Sequence, residues 1–144
     1  MNDAPVLING AWTASTGNNT FQAINPATRQ RLPDLYPESP WDEVAQAVEA
    51  AAQTARKIRG WPGERFAAFL ERYADGIESR ADDLVATAHQ ETGLPASPRL
   101  KDVELPRTVN QLRQAAAAAR EESWAVATMA KKNHTRSMFA PVGP

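Results

Sequence analysis

The sequence predicts a mixed α/β fold, mainly helical, in which short antiparallel strands come first, three to four helices follow, and an extended arm ends the chain. Three observations predict it. Residues 5–36 alternate short apolar runs with turn residues, residues 39–122 carry apolar side chains at helical spacing, and residues 130–144 turn basic and then extended. Residues 1–129 are therefore expected to form one body, with strands in 5–36 and helices in 39–122, and residues 130–144 an arm.

The strands are marked by their turns. Val6-Leu7-Ile8 runs into Asn9-Gly10, a pair strongly favoured in two-residue hairpins, and Ala11-Trp12-Thr13 is the return strand. Ser15 to Thr20 is a polar turn containing Gly17-Asn18-Asn19. Phe21-Gln22-Ala23-Ile24 alternates weakly and stops at Asn25-Pro26. Arg31-Leu32-Pro33-Asp34-Leu35-Tyr36 is expected to be an edge strand, because Pro33 has no N–H to give to a central ladder.

The helices are marked by their ends. Ser39 is the expected N-cap of the first, with Pro40 at the first helical position and Asp42-Glu43 beside the positive end of the helix dipole. Val44, Val48, Ala51, Ala52, Ala55 and Ile58 form its apolar stripe. Gly60-Trp61-Pro62-Gly63 is a helix–helix turn. The next helix is expected to bury Phe66, Leu70, Tyr73 and Ile77 and to turn Arg65, Glu71, Arg72 and Glu78 outward. A third runs from about Ser79 to Thr92 on Leu84, Val85 and Ala88, stops at Gly93, and cannot continue through Pro95. Helix resumes from about Pro98 to Glu122, with Pro106 expected to kink or divide it.

Composition narrows the function classes. A hydrophobic content of 42% rules out a wholly disordered chain. Alanine supplies much of that content and aromatics only 7%, so the core is lean for 144 residues. A net charge of −1 argues against general attraction to nucleic acid or acidic membranes. There is no apolar run of membrane-spanning length and no secretory signal in Met1-Asn2-Asp3-Ala4-Pro5, which fits a cytoplasmic protein. Zero cysteines exclude disulfides, thiolate zinc sites and thiol catalysis in this chain.

The motifs supply little chemistry. The glycines do not form a phosphate-cradling loop or a dinucleotide fingerprint, and no serine sits in a Gly-x-Ser-x-Gly elbow. His89 and His134 are the only histidines; His89 reads as a surface helical residue before it reads as a metal ligand. Asp82-Asp83 and Glu121-Glu122 are neighbours that point apart on a helix, as solvated surface does and an acid/base couple does not. Lys131-Lys132-Asn133-His134-Thr135-Arg136 is the one basic cluster; it could meet phosphate, but solubilising or edge-protecting use is the commoner role. Trp12, Trp61 and Trp124 are too dispersed for a base-stacking platform. The residues themselves identify no catalytic, cofactor-binding or metal site.

Several stretches together resemble the N-terminal part of an NAD(P)-dependent aldehyde dehydrogenase. They are Asn9-Gly10-Ala11-Trp12, Asn25-Pro26-Ala27-Thr28, Arg65 with Phe69-Leu70, Ile77-Glu78 with Arg80, and Glu91-Thr92-Gly93-Leu94-Pro95 followed by Arg99-Leu100, Glu104, Arg107-Thr108 and Gln111-Leu112-Arg113. The order is similar to the branch that acts on α-ketoglutarate semialdehyde (2,5-dioxovalerate), often with NADP. The resemblance implies that residues 1–129 flank a nucleotide-binding domain and that residues 130–144 belong to an oligomerisation arm. It implies that Pro141-Val142-Gly143-Pro144 leads into a sheet this chain does not encode. It also implies thiolate attack on the aldehyde, hydride transfer to NAD or NADP, and thioester hydrolysis. No family catalytic or cofactor residue has a counterpart here. The chain is thus expected to be an inactive opening section of a larger enzyme.

Three departures bear on one helix. Pro106 stands where this branch usually has glycine, the stretch Ala96 to Val103 is slightly longer than usual, and Ala115-Ala116 replaces bulkier residues. Within that helix Val103, Glu104, Arg107 and Gln111 share a face by spacing. The resemblance makes Arg107 a candidate for the substrate tunnel, where its guanidinium would meet the carboxylate of an acidic aldehyde. The competing reading is an ordinary surface salt bridge with Glu104 at i,i+3.

A non-catalytic helical interaction module is the alternative to an enzyme section. The two differ in surface. An enzyme section has helix faces made for a missing layer and is expected to form homo-oligomers or self-associate through exposed apolar faces, binding neither nucleic acid nor membrane. Sedimentation of the purified chain with a hydrophobic dye is expected to show self-association and dye binding. A single defined species that unfolds cooperatively and binds no dye would favour the module.

Overall fold

The computed structural model describes residues 3–122 and 128–139. Trp124 and the stretch 140–144, where a lead-in to a sheet was expected, lie outside the described residues. Four helices and short antiparallel strands make up the described chain, the mixed and mainly helical fold that the sequence predicts. They fall into two compact units, residues 3–59 with 90–93, and residues 60–89 with 94–122 and 128–139.

In the first unit β1 (Val6–Ile8) and β2 (Ala11–Thr13) pair antiparallel in the register Val6↔Thr13 and Ile8↔Ala11. Asn9 (φ 51°) and Gly10 (φ 80°) both take the left-handed region that a tight primed hairpin turn requires. Beyond it the strands are shorter than expected. β3 (Thr20–Phe21) pairs with β4 (Tyr36–Pro37), where the Phe21 and Tyr36 rings stack at 5.5 Å. The proposed runs 21–24 and 31–36 otherwise reduce to single bridges, Ile24↔Arg31 and Asp3↔Leu35. The cause is local. Asn25 Oδ1 accepts from the N–H groups of Ala27 and Thr28 at 2.9 and 3.2 Å, and Arg29 N–H closes on the Asn25 carbonyl at 2.7 Å. This side-chain-nucleated turn reverses the chain one residue after Ile24.

Helix α1 (Trp41–Ile58) begins one residue later than Ser39 capping implies. Pro40 is itself the extended N-cap, and its carbonyl accepts from the N–H groups of Glu43 and Val44. The Ser39 hydroxyl bonds the Glu43 carboxylate instead. The predicted stripe is only partly covered: Ala52, Ala55 and Ile58 are half-buried, but Val48 is 64% exposed. A three-residue β1 is too short to roof an 18-residue helix. What remains is an open groove of about 450 Å³ between the hairpin turn and α1, floored by Ala47, Ala51, Ala55 and Ile58.

The second unit is built on α2 (Gly63–Ser79) and α4 (Leu105–Glu121), which run antiparallel in the most extensive contact among the described elements. Ala67, Ala74 and Ala116 are 0% exposed and Val109 is nearly so. The buried face of α2 is thus centred on alanines. Phe66, Leu70 and Ile77 are half-buried at its margins, while Tyr73, expected inside, is exposed and stacks on Phe69 at 6.3 Å. Small residues win the centre because they let two backbones approach closely. A Cβ on Gly63 would collide with the carbonyl oxygen of Ala119.

Helix α3 (Ala81–Thr92) buries Val85, leaves Leu84 exposed, and ends at Gly93, whose φ of 71° is a left-handed stop. Ala96–Glu104 is a wide-turned, π-helical segment with Ser97 extended inside it and Leu100 buried. Pro106 is the second residue of α4; it was expected to kink or divide the stretch, but the backbone is helical at Glu104 and Leu105 before it, and the non-helical residue is Ser97. Glu122 at φ 51° terminates α4. The basic cluster forms a reversal: β5 (Thr128–Ala130) and β6 (Thr135–Ser137) pair antiparallel across a short helical turn at Lys131–Asn133, with His134 left-handed. Over 128–137 the chain doubles back as a hairpin, where a single extended run had been expected from residue 130.

Two glycines of α2 are expected to respond oppositely to alanine. Gly76→Ala places its methyl in open space and should raise stability by about 0.5–1 kcal/mol in urea unfolding. Gly63→Ala should lower it. A neutral Gly63→Ala would show that close approach to Ala119 does not constrain the pair.

Candidate functional site

Four small constellations of charged side chains among the described residues bear on the site, each made by a different local device. The tightest is Glu43 in the first turn of α1. Its carboxylate accepts from Ser15 Oγ at 2.7 Å, Thr16 N at 2.6 Å and Thr16 Oγ1 at 2.9 Å, with Ser39 adding another donor. Glu43 is only 8% exposed. The backbone N–H of Thr16, then the Ser15 hydroxyl, hold its pKa at about 2. A carboxylate so satisfied is a poor proton acceptor near neutral pH. Its role is to fasten the polar turn at 15–17 to the start of α1.

The second constellation clamps α2 to α4. Arg120 bonds Glu64 at 2.7 Å and Glu71 at 3.0 Å, and Arg113 bonds Glu78 at 2.6 Å and Asp75 at 3.2 Å. These pairs raise the pKa of both guanidinium groups, chiefly through the hydrogen bonds of Glu64 and Glu78, and lower that of Glu64. They are partly solvated, so they set register more than they add stability. The sequence carried a signal for them: acids seven apart at 64, 71 and 78, and arginines seven apart at 113 and 120. Glu43 had no such signal, since its donors lie 27 and 28 residues away.

The third surrounds α3. His89 Nδ1 donates to the Leu94 carbonyl at 2.6 Å, bridging the helix end over Gly93. Asp82 pairs with Lys101 at 2.8 Å, which lowers the carboxyl pKa and raises that of the amine. The Asp82 side chain is otherwise in solvent, 86% exposed. Among the described residues no group of three or more His, Asp or Glu is placed to hold a metal, and no helix is long and apolar enough to cross a membrane.

The fourth contains Arg107. The buried face of α4 runs through Leu105, Val109, Leu112 and Ala116; Arg107 and Gln111 stand opposite it. Arg107 is 66% exposed, and its Nη1 lies 4.0 Å from Glu104 Oε2. Glu104 is held more closely by Arg99, at 2.5 Å. Arg107 and Glu104 are brought together, then, but at ion-pair range only.

None of these constellations pairs a nucleophile with a base. They shape and fasten helices, and they leave apolar side chains uncovered on α1, α2 and the β5–β6 hairpin. Comparison with known proteins supplies the family. The profile of the aldehyde dehydrogenase family matches residues 12–144, and the chain belongs to that family. A Staphylococcus aureus (strain USA300) protein named as an aldehyde dehydrogenase is 34% identical over 90 residues, which is 62% of this chain and 19% of that protein. The lactaldehyde dehydrogenase of Escherichia coli superposes with a TM-score of 0.79 at 22% identity, over 90% of this chain and 26% of its own. An NAD-dependent benzaldehyde dehydrogenase from Corynebacterium glutamicum does so with a TM-score of 0.77 at 18% identity, over 91% of this chain and 28% of its own. At these identities the structural likeness is one of fold. The chain spans about a fifth of the length of the curated relatives it matches.

The Glu43 fastening has a definite pH dependence. Its folded pKa of about 2 lies below the ordinary 4.5, so its contribution is full above about pH 4.5 and is lost as the pH falls toward 2. Thermal melts of the purified chain should show Glu43→Gln below wild type at neutral pH, with the gap closing through that acid range. A gap that is constant with pH would show that the charge of Glu43 is not what fastens the turn.

Proposed function

We propose that the protein serves as the N-terminal section of an enzyme that oxidises an aldehyde to a carboxylate with NAD or NADP, and that this section has no turnover by itself. The observation that carries the reading is the family match across residues 12–144 on a chain with zero cysteines. In a thiolate mechanism the nucleophile must come from elsewhere. On this reading residues 1–129 flank the nucleotide-binding domain and residues 130–144 belong to the oligomerisation arm. The exposed apolar side chains, Val48 on α1 and Phe69 on α2 among them, would be covered by the rest of the enzyme or by another copy.

For substrate we propose α-ketoglutarate semialdehyde, with Arg107 receiving its carboxylate. Support comes from the run Glu91-Thr92-Gly93-Leu94-Pro95 to Gln111-Leu112-Arg113 and from the exposure of the Arg107 guanidinium. Arginine suits the task because its planar fork meets a carboxylate through two parallel hydrogen bonds.

Two assays test these readings. The purified chain, offered acidic and neutral aldehydes with either nicotinamide, should form no reduced cofactor; steady turnover would overturn the division of labour. In the complete enzyme, Arg107→Leu should raise KM for the acidic aldehyde by about tenfold or more, the size of a charge-assisted hydrogen bond, and leave a neutral aldehyde nearly unmoved. Equal effects on both would reject the tunnel role.

A further inference from the structure

Glu104 stands between two arginines and is closed on one of them. Arg99 Nη2 lies 2.5 Å from Oε1, a charge-assisted hydrogen bond, whereas Arg107 Nη1 is 4.0 Å from Oε2, beyond hydrogen-bond reach. The pairing with Arg99 depends on backbone winding. In an α-helix residues five apart project about 140° from each other and do not meet. Past the extended Ser97 the turn is wide: the N–H of Leu105 bonds the carbonyl of Leu100 in the i→i+5 pattern. That winding brings side chains five apart, Arg99 and Glu104, toward one line. Two contacts hold it: Leu100 is buried, and Ser97 Oγ donates to Asp102 at 2.8 Å.

We infer that Arg99 is a positioning residue: by holding Glu104 it keeps that carboxylate off Arg107 and leaves the Arg107 guanidinium open to a substrate carboxylate. The inference rests on the reading of Arg107 given above. Other carboxylates of this stretch are already engaged, Asp102 with Ser97 and Asp82 with Lys101. Glu104 is therefore the internal competitor. Without Arg99 its nearest cation is Arg107, one helical turn away at i,i+3, where a rotamer change suffices to close the pair. An arginine fork occupied by Glu104 has lost the face a substrate carboxylate needs.

The test compares α-ketoglutarate semialdehyde with a neutral aldehyde of similar length in the complete enzyme. Arg99→Gln should raise KM for the acidic aldehyde about three- to fivefold, the reach of an exposed ion pair, with kcat and the neutral aldehyde unchanged. Adding Glu104→Gln should return KM to the wild-type value. In the chain itself, NMR of the arginine side-chain N–H groups should move Arg107 to a carboxylate-bound position in Arg99→Gln and return it in the double variant. If Arg107→Leu is selective for the acidic aldehyde but Arg99→Gln leaves KM unmoved, or the double variant is no better than the single, the positioning role falls and Arg107 keeps its own. If Arg107→Leu treats both aldehydes alike, the carboxylate reading falls and the positioning role with it.

Discussion

The second unit depends on how closely α2 can approach α4. Gly63, Ala67, Ala74 and Ala116 line the contact, and the absence or smallness of their side chains is what lets the helix backbones come together. Close approach multiplies weak dispersion contacts between backbone and methyl groups, each small and collectively large. It also decides where the charges go. With the centre taken by alanines, Glu64, Glu71, Asp75 and Glu78 fall at the rim, within reach of Arg113 and Arg120. An antiparallel arrangement follows, since Arg120 meets the start of α2 and Arg113 its end.

The same constraint explains what is left uncovered. An alanine-centred contact removes little apolar area per residue, and larger side chains on the other faces find no roof within their own unit. Phe69 and Tyr73 stack on each other in the open, and Val48 stands free on α1. Glu43 makes up for thin packing in the first unit by a polar route. Several donors converge on one carboxylate and fasten a turn that has almost no hydrophobic content. That fastening is directional where the α2–α4 contact is not, so it fixes geometry that alanines alone would leave loose.

The π-wound segment before α4 shows how a change in turn width becomes a change in chemistry. Widening the turn brings Arg99 to Glu104, a pairing that α winding would not make. Pro106 marks the seam. It has no N–H to give to the carbonyls of the turn before it, and it stands where the wide winding gives way to α.

Much of this was legible in the residues. Asn9-Gly10 specified its hairpin because two adjacent positive φ angles suit almost no other pair. Gly93 with Pro95 marked a helix limit through backbone chemistry. The absence of a thiol nucleophile was settled by composition. Long-range geometry was not legible. Tyr73 matched the helical period of a buried stripe but faces outward, because the partner helix seats on alanines. Ser39 had the chemistry of a cap but serves Glu43, because Ser15 and Thr16 fold back to the same carboxylate. Residues 31–36 had strand character but lost their partner when Asn25 nucleated a turn. Nor could spacing show Arg99 beside Glu104, since the i,i+5 relation is silent in an α-helix. By itself the sequence determined where the backbone turns and where helices stop, because those properties reside in single residues and their neighbours. Only the tertiary structure decided which faces meet and which charges pair, because those depend on how the backbone winds and on distances between side chains that spacing does not give.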